Sequence, residues 1–77
     1  MSERRISLTR HAAETMVNLD IGFEEVRKTI REGERTTEGR TKTRYALRTK
    51  RGSTVAICRE FPDEVAVITV TVTRRRR

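Results

Sequence analysis

DIGFEEVRKTIREGE, residues 20–34, is the stretch that decides the fold of this chain. Its apolar residues recur at helical spacing and form one stripe: Phe23, Val26 and Ile30. Two glutamates stand in the first turn, where the helix dipole favours anions, and a glycine follows the last turn. The spacing predicts a helix over residues 23–32, with Gly22 as its N-cap and Gly33 closing its end.

Beyond Gly33 the helical spacing stops. Residues 34–43 contain no apolar side chain, which predicts a loop or a weak edge strand. From Thr43 the period becomes two, so one strand face carries Thr43, Tyr45, Leu47 and Thr49, and the other carries Arg44, Ala46, Arg48 and Lys50. Residues 50–53 suit a tight hairpin turn. We expect Tyr45 to face the core, with its hydroxyl at the rim.

The rest of the chain completes the pattern. STVAICRE, residues 53–60, predicts a second strand, Pro62 and Asp63 a turn, and EVAVITVTVT, residues 64–73, a third strand. On that last strand we expect one face to carry Ala66, Ile68, Val70 and Val72. Upstream, RRISL is β-capable, and Thr9 caps a predicted helix over residues 10–19. The fold class is therefore α+β, ordered β-α-α-β-β-β, with two helices on one face of an antiparallel sheet.

We expect one domain over residues 1–73 and a basic tail over 74–77, and we expect a dimer to be compatible with so small a core. Cys58, the only cysteine, is predicted to be a buried hydrophobe. The sequence shows no metal-ligand cluster or phosphate-binding glycine loop, so we expect no metal and no cofactor. No membrane-length apolar run or signal peptide appears, which predicts a cytoplasmic protein. The scarcity of amide side chains hints at a thermophilic source.

The charge is unevenly distributed, and this indicates a partner. The net charge is +7, and residues 1–39 carry seven basic and eight acidic side chains, or −1, whereas residues 40–77 carry eleven and three, or +8. Such a one-sided field favours a polyanion. The predicted nucleic-acid-binding residues are Arg40, Lys42, Arg44, Arg48, Lys50, Arg51 and Arg59. Arg59 has two readings: it joins this row, or it pairs with Glu60 or Asp63.

Several motifs, in their order and spacing, resemble the RelE/ParE toxin superfamily and a related family of small prokaryotic domains. They are His11-Ala12, IGFEEVRKTIREGE at 21–34, Arg44-Tyr45 and VITV at 67–70. The chain departs from the pattern at Thr15 and Thr71, where members carry arginine and tyrosine. The resemblance implies the β-α-α-β-β-β fold. For RelE-type toxins it implies cleavage of messenger RNA on the ribosome by basic and aromatic side chains, and for ParE-type relatives an attack on gyrase.

His11, the only histidine, has two readings. A neutral imidazole near the start of a helix suits a general base, with Arg44 and Arg48 stabilising a phosphate, or it packs the first strand against the helix. The leading hypothesis is an RNA- or ribosome-binding domain of toxin-like fold, either with or without endoribonuclease activity. The alternatives are a noncatalytic module that binds an acidic, antitoxin-like protein and a DNA-binding domain.

Overall fold

The structure is a computed structural model, and it describes residues 4–50 and 52–74. The elements run in the order β1 (Arg5–Leu8), α1 (Arg10–Leu19), α2 (Phe23–Glu32), β2 (Glu34–Glu38), β3 (Lys42–Thr49), β4 (Gly52–Phe61) and β5 (Glu64–Arg74). The strands form one sheet in the order β1-β5-β4-β3-β2. Helix α1 packs against β5 and β1, α2 packs against β3 and β4, and both bury side chains in one core. The two helices therefore cover the same face of the sheet, as predicted.

Side-chain hydrogen bonds dock both helices, whose predicted bounds are confirmed. Thr9 Oγ1 accepts from the Ala12 amide at 3.1 Å and donates to the carbonyl of Ile68 at 3.0 Å, so the predicted cap also joins α1 to β5. The pairing of β1 with β5 ends at Leu8 and Val67. Beyond that point, the amide of Val70 on β5 donates to Thr15 Oγ1 of α1 at 3.3 Å. On α2, Glu25 accepts from the buried Thr54 hydroxyl at 2.6 Å.

The sheet differs from the prediction in two ways. It is mixed rather than antiparallel, because β1 pairs in parallel with β5, Ile6 lying opposite Val65. Residues 34–38 form an edge strand, β2, which is one of the two predicted alternatives for this segment, and the order therefore has one strand more than β-α-α-β-β-β. All five side chains of β2 are exposed, because backbone pairing with β3 does not require an apolar face.

The predicted alternation holds on β3 and fails on β5. Tyr45 is 3% exposed and lies in the core with the buried Cys58, as predicted for both. Burial raises the pKa of the Cys58 thiol to about 12. On β5, a register shift next to Ile57 and Cys58 inserts one extra residue. The core-facing residues are therefore Val65 and Val67 before the extra residue and Val70 and the half-buried Val72 after it, so Ala66 and Ile68 do not share one face with Val70 and Val72 as predicted.

Both predicted turns are present. The pair Thr49 and Gly52 flanks the β3–β4 connection, and Phe61 and Glu64 flank the β4–β5 connection. Arg51 and residues 75–77 lie outside the described residues, so the basic tail stays a prediction. In the part of the chain that the structure describes, neither helix is long and apolar enough to cross a membrane.

Candidate nucleic-acid interface

The face of the sheet turned away from the helices is called here the open face. Its side chains alternate with Tyr45 on β3 and with Cys58 on β4: Lys42, Arg44, Ala46, Arg48, Ser53, Val55, Ile57, Arg59 and Phe61. Arg44 lies opposite Ile57, and Arg48 lies opposite Ser53. Arg59, two residues beyond Ile57 on β4, shares this face. The structure therefore places Arg59 with the predicted row of cations.

The cations of the open face are not neutralised. Within residues 4–50 and 52–74, no acidic side chain forms an ion pair with Arg44, Arg48 or Arg59. Between the arginines the surface is apolar, since Ala46 and Ile57 are half-buried and Val55 is 3% exposed. The open face thus presents unpaired guanidinium groups above an apolar floor.

A basin with a volume of about 550 Å³ lies at the end of the sheet where β3 begins, at Lys42, and β4 ends, at Phe61. Four cationic side chains line the basin: Arg35, Arg40, Lys42 and Arg59. Phe61 lies in the same lining and is 46% exposed. Three of the predicted nucleic-acid-binding residues therefore meet in one depression, and Arg35 of β2 joins them.

The lining of the basin includes a carboxylate, Glu60, which four side chains hold and which lies on the side of β4 opposite to Arg59. Glu60 Oε1 accepts from Arg35 Nη2 at 2.5 Å and Nε at 3.1 Å, and from Thr43 Oγ1 at 2.9 Å. Glu60 Oε2 accepts from the Tyr45 hydroxyl and from Arg4 Nη2 at 2.9 Å. The Glu60 network therefore joins β2, β3 and β4 to the residue that precedes β1.

The donors of this network set the ionisation of Glu60. The hydrogen bond from Arg35 is the largest cause that lowers the pKa of Glu60 from 4.5 to about 2, and the bonds from Tyr45, Thr43 and Arg4 act in the same direction. Burial and the hydrogen bond to Glu60 raise the pKa of Tyr45. Glu60 is thus a carboxylate whose lone pairs are occupied, which makes it a structural anchor and a poor base.

The three residues considered for catalysis do not come together. His11 is exposed on α1, in the layer of helices, whereas Arg44 and Arg48 belong to the opposite face of the sheet. Among the described residues, the His11 side chain has no hydrogen-bond partner, so neither the catalytic nor the packing reading finds a contact here. Lys50 lies in the β3–β4 turn, away from the basin, and Arg51 lies outside the described residues.

Sequence reasoning missed the residues that complete the basin. Arg35 and Glu60 are far apart in the chain and meet only because β2 and β4 both pair with β3. The signal available was strand parity, since Glu60 shares the parity of Cys58 and therefore faces away from Arg59. Phe61 gave no signal of its own. Its exposure follows from its place at the end of β4.

The open face and the basin are formed by residues that are distant in the sequence, so only the three-dimensional structure shows them. The open face supplies unpaired arginines, and the basin brings four cations into one lining, of which Arg35 is paired with Glu60. No family model, no curated protein and no solved structure matches this chain.

Proposed function

We propose that this domain binds RNA through the open face and the basin, by contacts to the phosphate backbone that do not depend on base sequence. The observation that carries the proposal is that Arg44, Arg48 and Arg59 share one face without acidic partners among the described residues. A solvated face that serves no partner usually mixes both signs of charge. An unpaired cationic face attracts a polyanion.

The spacing of the cations on the open face suits a single strand of nucleic acid. Successive same-face residues of a strand, such as Lys42 and Arg44, are about 6.5–7 Å apart, close to the spacing of phosphates along one nucleic-acid strand. The helices lie on the other face of the sheet, so no helix is available on this side to enter a major groove. With only three aromatic residues in the chain, sequence readout by stacking is not proposed.

RNA is preferred to DNA because of the sequence resemblance. We propose that the fold is a RelE/ParE-like one with an additional edge strand, and RelE-type proteins act on RNA. The proposal is one of binding and does not include cleavage. His11 lies in the helix layer. Among the described residues, no side chain that could act as a general base contacts the open-face arginines. A cleavage assay with the wild type and His11→Ala would detect any nuclease activity, and activity lost in the variant would contradict binding alone.

We expect binding to weaken steeply with salt. Four phosphates contacted by Lys42, Arg44, Arg48 and Arg59 give a slope of log K against log salt of about −3 for a single strand, and Arg44→Ala or Arg48→Ala reduces the slope by about 0.7. Fluorescence anisotropy with a labelled oligouridylate at several salt concentrations measures both quantities. Duplex DNA and an oligodeoxythymidylate serve as parallel ligands.

Arg31→Ala is the matched control, because it removes the same charge from an exposed position on α2. This variant should keep the slope of the wild type. A wild-type slope near zero, or an equal loss in Arg31→Ala, would refute a binding surface on the open face. Tighter binding of duplex DNA than of RNA would refute the choice of RNA.

A second candidate function is the noncatalytic capture of an extended acidic segment. The observation that favours it is β2, an edge strand whose five side chains are exposed and whose outer backbone edge pairs with no described strand. Such an edge accepts an additional strand by main-chain hydrogen bonds. Two results with an acidic peptide would support this function. The peptide should bind without displacing RNA, and its binding should protect the backbone amides of β2 from hydrogen exchange.

A further inference from the structure

We infer that the basin binds the terminal nucleotide of an RNA that ends in a phosphate monoester. The inference deepens the proposed function and rests on it: the open face holds the backbone of the strand, and the basin holds its phosphorylated end. The observation is that cations and an exposed aromatic ring converge in one depression instead of following a line.

The charge of the basin fits a dianion. Arg40, Lys42 and Arg59 are exposed and, among the described residues, have no ion-pair partner. A backbone diester carries one charge, whereas a terminal monoester carries up to two near neutral pH and offers three acceptor oxygens. Several cations that surround one site therefore discriminate in favour of the terminal group.

Arg35 adds an oriented donor. Its Nε and Nη2 donate to Glu60, and its guanidinium is also hydrogen-bonded to Tyr45. A guanidinium has five N–H donors, more than these contacts use. Glu60 is itself held by Thr43 and Tyr45, so the guanidinium of Arg35 is anchored beside the basin although it is 55% exposed. Glu60 is in this sense a positioning residue that reduces the entropy lost when Arg35 contacts a phosphate.

Phe61 supplies a surface for the base. It is a large apolar side chain, 46% exposed, in the lining that also contains Arg59. A base has a π-face whatever its identity, and stacking on an aromatic ring is tolerant of sequence. The basin therefore offers a site for the phosphate and, next to it, a site for the base, which is the arrangement that a terminal nucleotide requires.

The test compares oligouridylates of one length that carry a 5′-phosphate, a 3′-phosphate or hydroxyls at both ends, with the dye on the opposite end. We expect one phosphorylated form to bind about tenfold more tightly than the hydroxyl form. Whether this is the 5′-phosphate or the 3′-phosphate form shows which end of the RNA the basin binds. A hydroxyl-ended RNA longer by two nucleotides matches the added charge and should not show this gain. The gain should shrink below about pH 6, where the monoester becomes a monoanion.

Variants separate the basin from the open face. Arg40 lines the basin and is not one of the open-face side chains, so Arg40→Ala should reduce the preference for the phosphorylated end to about twofold or less and leave the affinity for hydroxyl-ended RNA unchanged. Arg59→Ala and Lys42→Ala change residues of both surfaces, so they should reduce this preference and also the salt slope.

Phe61→Ala should weaken binding of uridine monophosphate and leave that of pyrophosphate unchanged. Arg48→Ala should weaken all RNAs by the same factor, and Lys28→Ala, an exposed position on α2, should change nothing.

The outcomes distinguish this inference from the proposed function. Equal affinity for phosphorylated and hydroxyl-ended RNA, with the salt slope intact, would overturn the inference and keep RNA binding. A gain that the longer hydroxyl-ended RNA reproduces, or that survives Arg59→Ala and Lys42→Ala, would overturn it as well. Binding of uridine monophosphate without binding of longer RNA would support the basin and overturn the proposed RNA-binding surface.

Discussion

Gly33→Ala is expected to lower the free energy of unfolding by about 3 kcal/mol. A Cβ at this position would lie 2.4 Å from the carbonyl oxygen of Thr29 and 2.8 Å from that of Ala46. Both are backbone atoms, so relief requires the backbone at residue 33 to shift away from the last turn of α2 and from β3. In a domain of this size, the loss corresponds to roughly 15 °C in Tm, measured by circular dichroism or urea unfolding.

The cause is close approach and not backbone conformation. Gly33 has φ −75°, which any residue adopts, so it closes α2 without the left-handed geometry that usually explains a glycine there. Gly22→Ala is the matched control, because no atom lies within 4 Å of its added Cβ, and it should cost less than about 1 kcal/mol. Equal destabilisation by the two substitutions would refute the steric explanation.

Glu60→Gln is expected to cost about 2 kcal/mol at pH 7. The amide is nearly isosteric, but its NH₂ group would face the donors of Arg4 or Arg35, and two guanidinium groups would lose their common anion. The cost is smaller than for a fully buried ion pair because Arg35 is more than half exposed and solvent screens its charge. Urea unfolding measures the loss, and Glu38→Gln, an exposed position on β2, should be nearly neutral.

The same network predicts how stability depends on pH. Because folding lowers the pKa of Glu60 from 4.5 to about 2, its contribution is complete above pH 4.5 and is lost as the pH falls through about 2. The difference in unfolding free energy between the wild type and Glu60→Gln should therefore be large at pH 7 and close to zero near pH 2. A difference that stays constant over this range would show that the charge of Glu60 does not stabilise the fold.

Local chemistry in the sequence was sufficient for the helices and most strand faces. Thr9 and the apolar spacing of residues 10–19 and 23–32 specified both helices, because capping and amphipathic periodicity are properties of neighbouring residues. The alternation from Thr43 to Thr49 specified which side chains of β3 enter the core, Tyr45 among them. The same alternation placed Arg44 and Arg48 together on the opposite face.

Relations between distant segments were not readable in this way. The parallel pairing of β1 with β5, and the choice between a loop and an edge strand at residues 34–38, depend on backbone hydrogen bonds that carry no side-chain signature. The extra residue in β5 divided the predicted face, since a shift by one residue turns side chains to the other side: Ala66 and Ile68 are not on the core face, whereas Val70 and Val72 are. The candidate catalytic set was separated because sequence spacing does not say which face of the sheet the helices cover.

The amino-acid sequence by itself determined two capped helices, a polar edge segment, the strand alternation and the cationic character of the second half, because each depends on residues within a few positions of one another. Only the tertiary structure decided that Arg35 meets Glu60, that Arg40, Lys42, Arg59 and Phe61 share one basin, and that His11 lies in the other layer. The physical reason is that strand order and register bring these groups together, and both are set by pairing and packing over the whole domain.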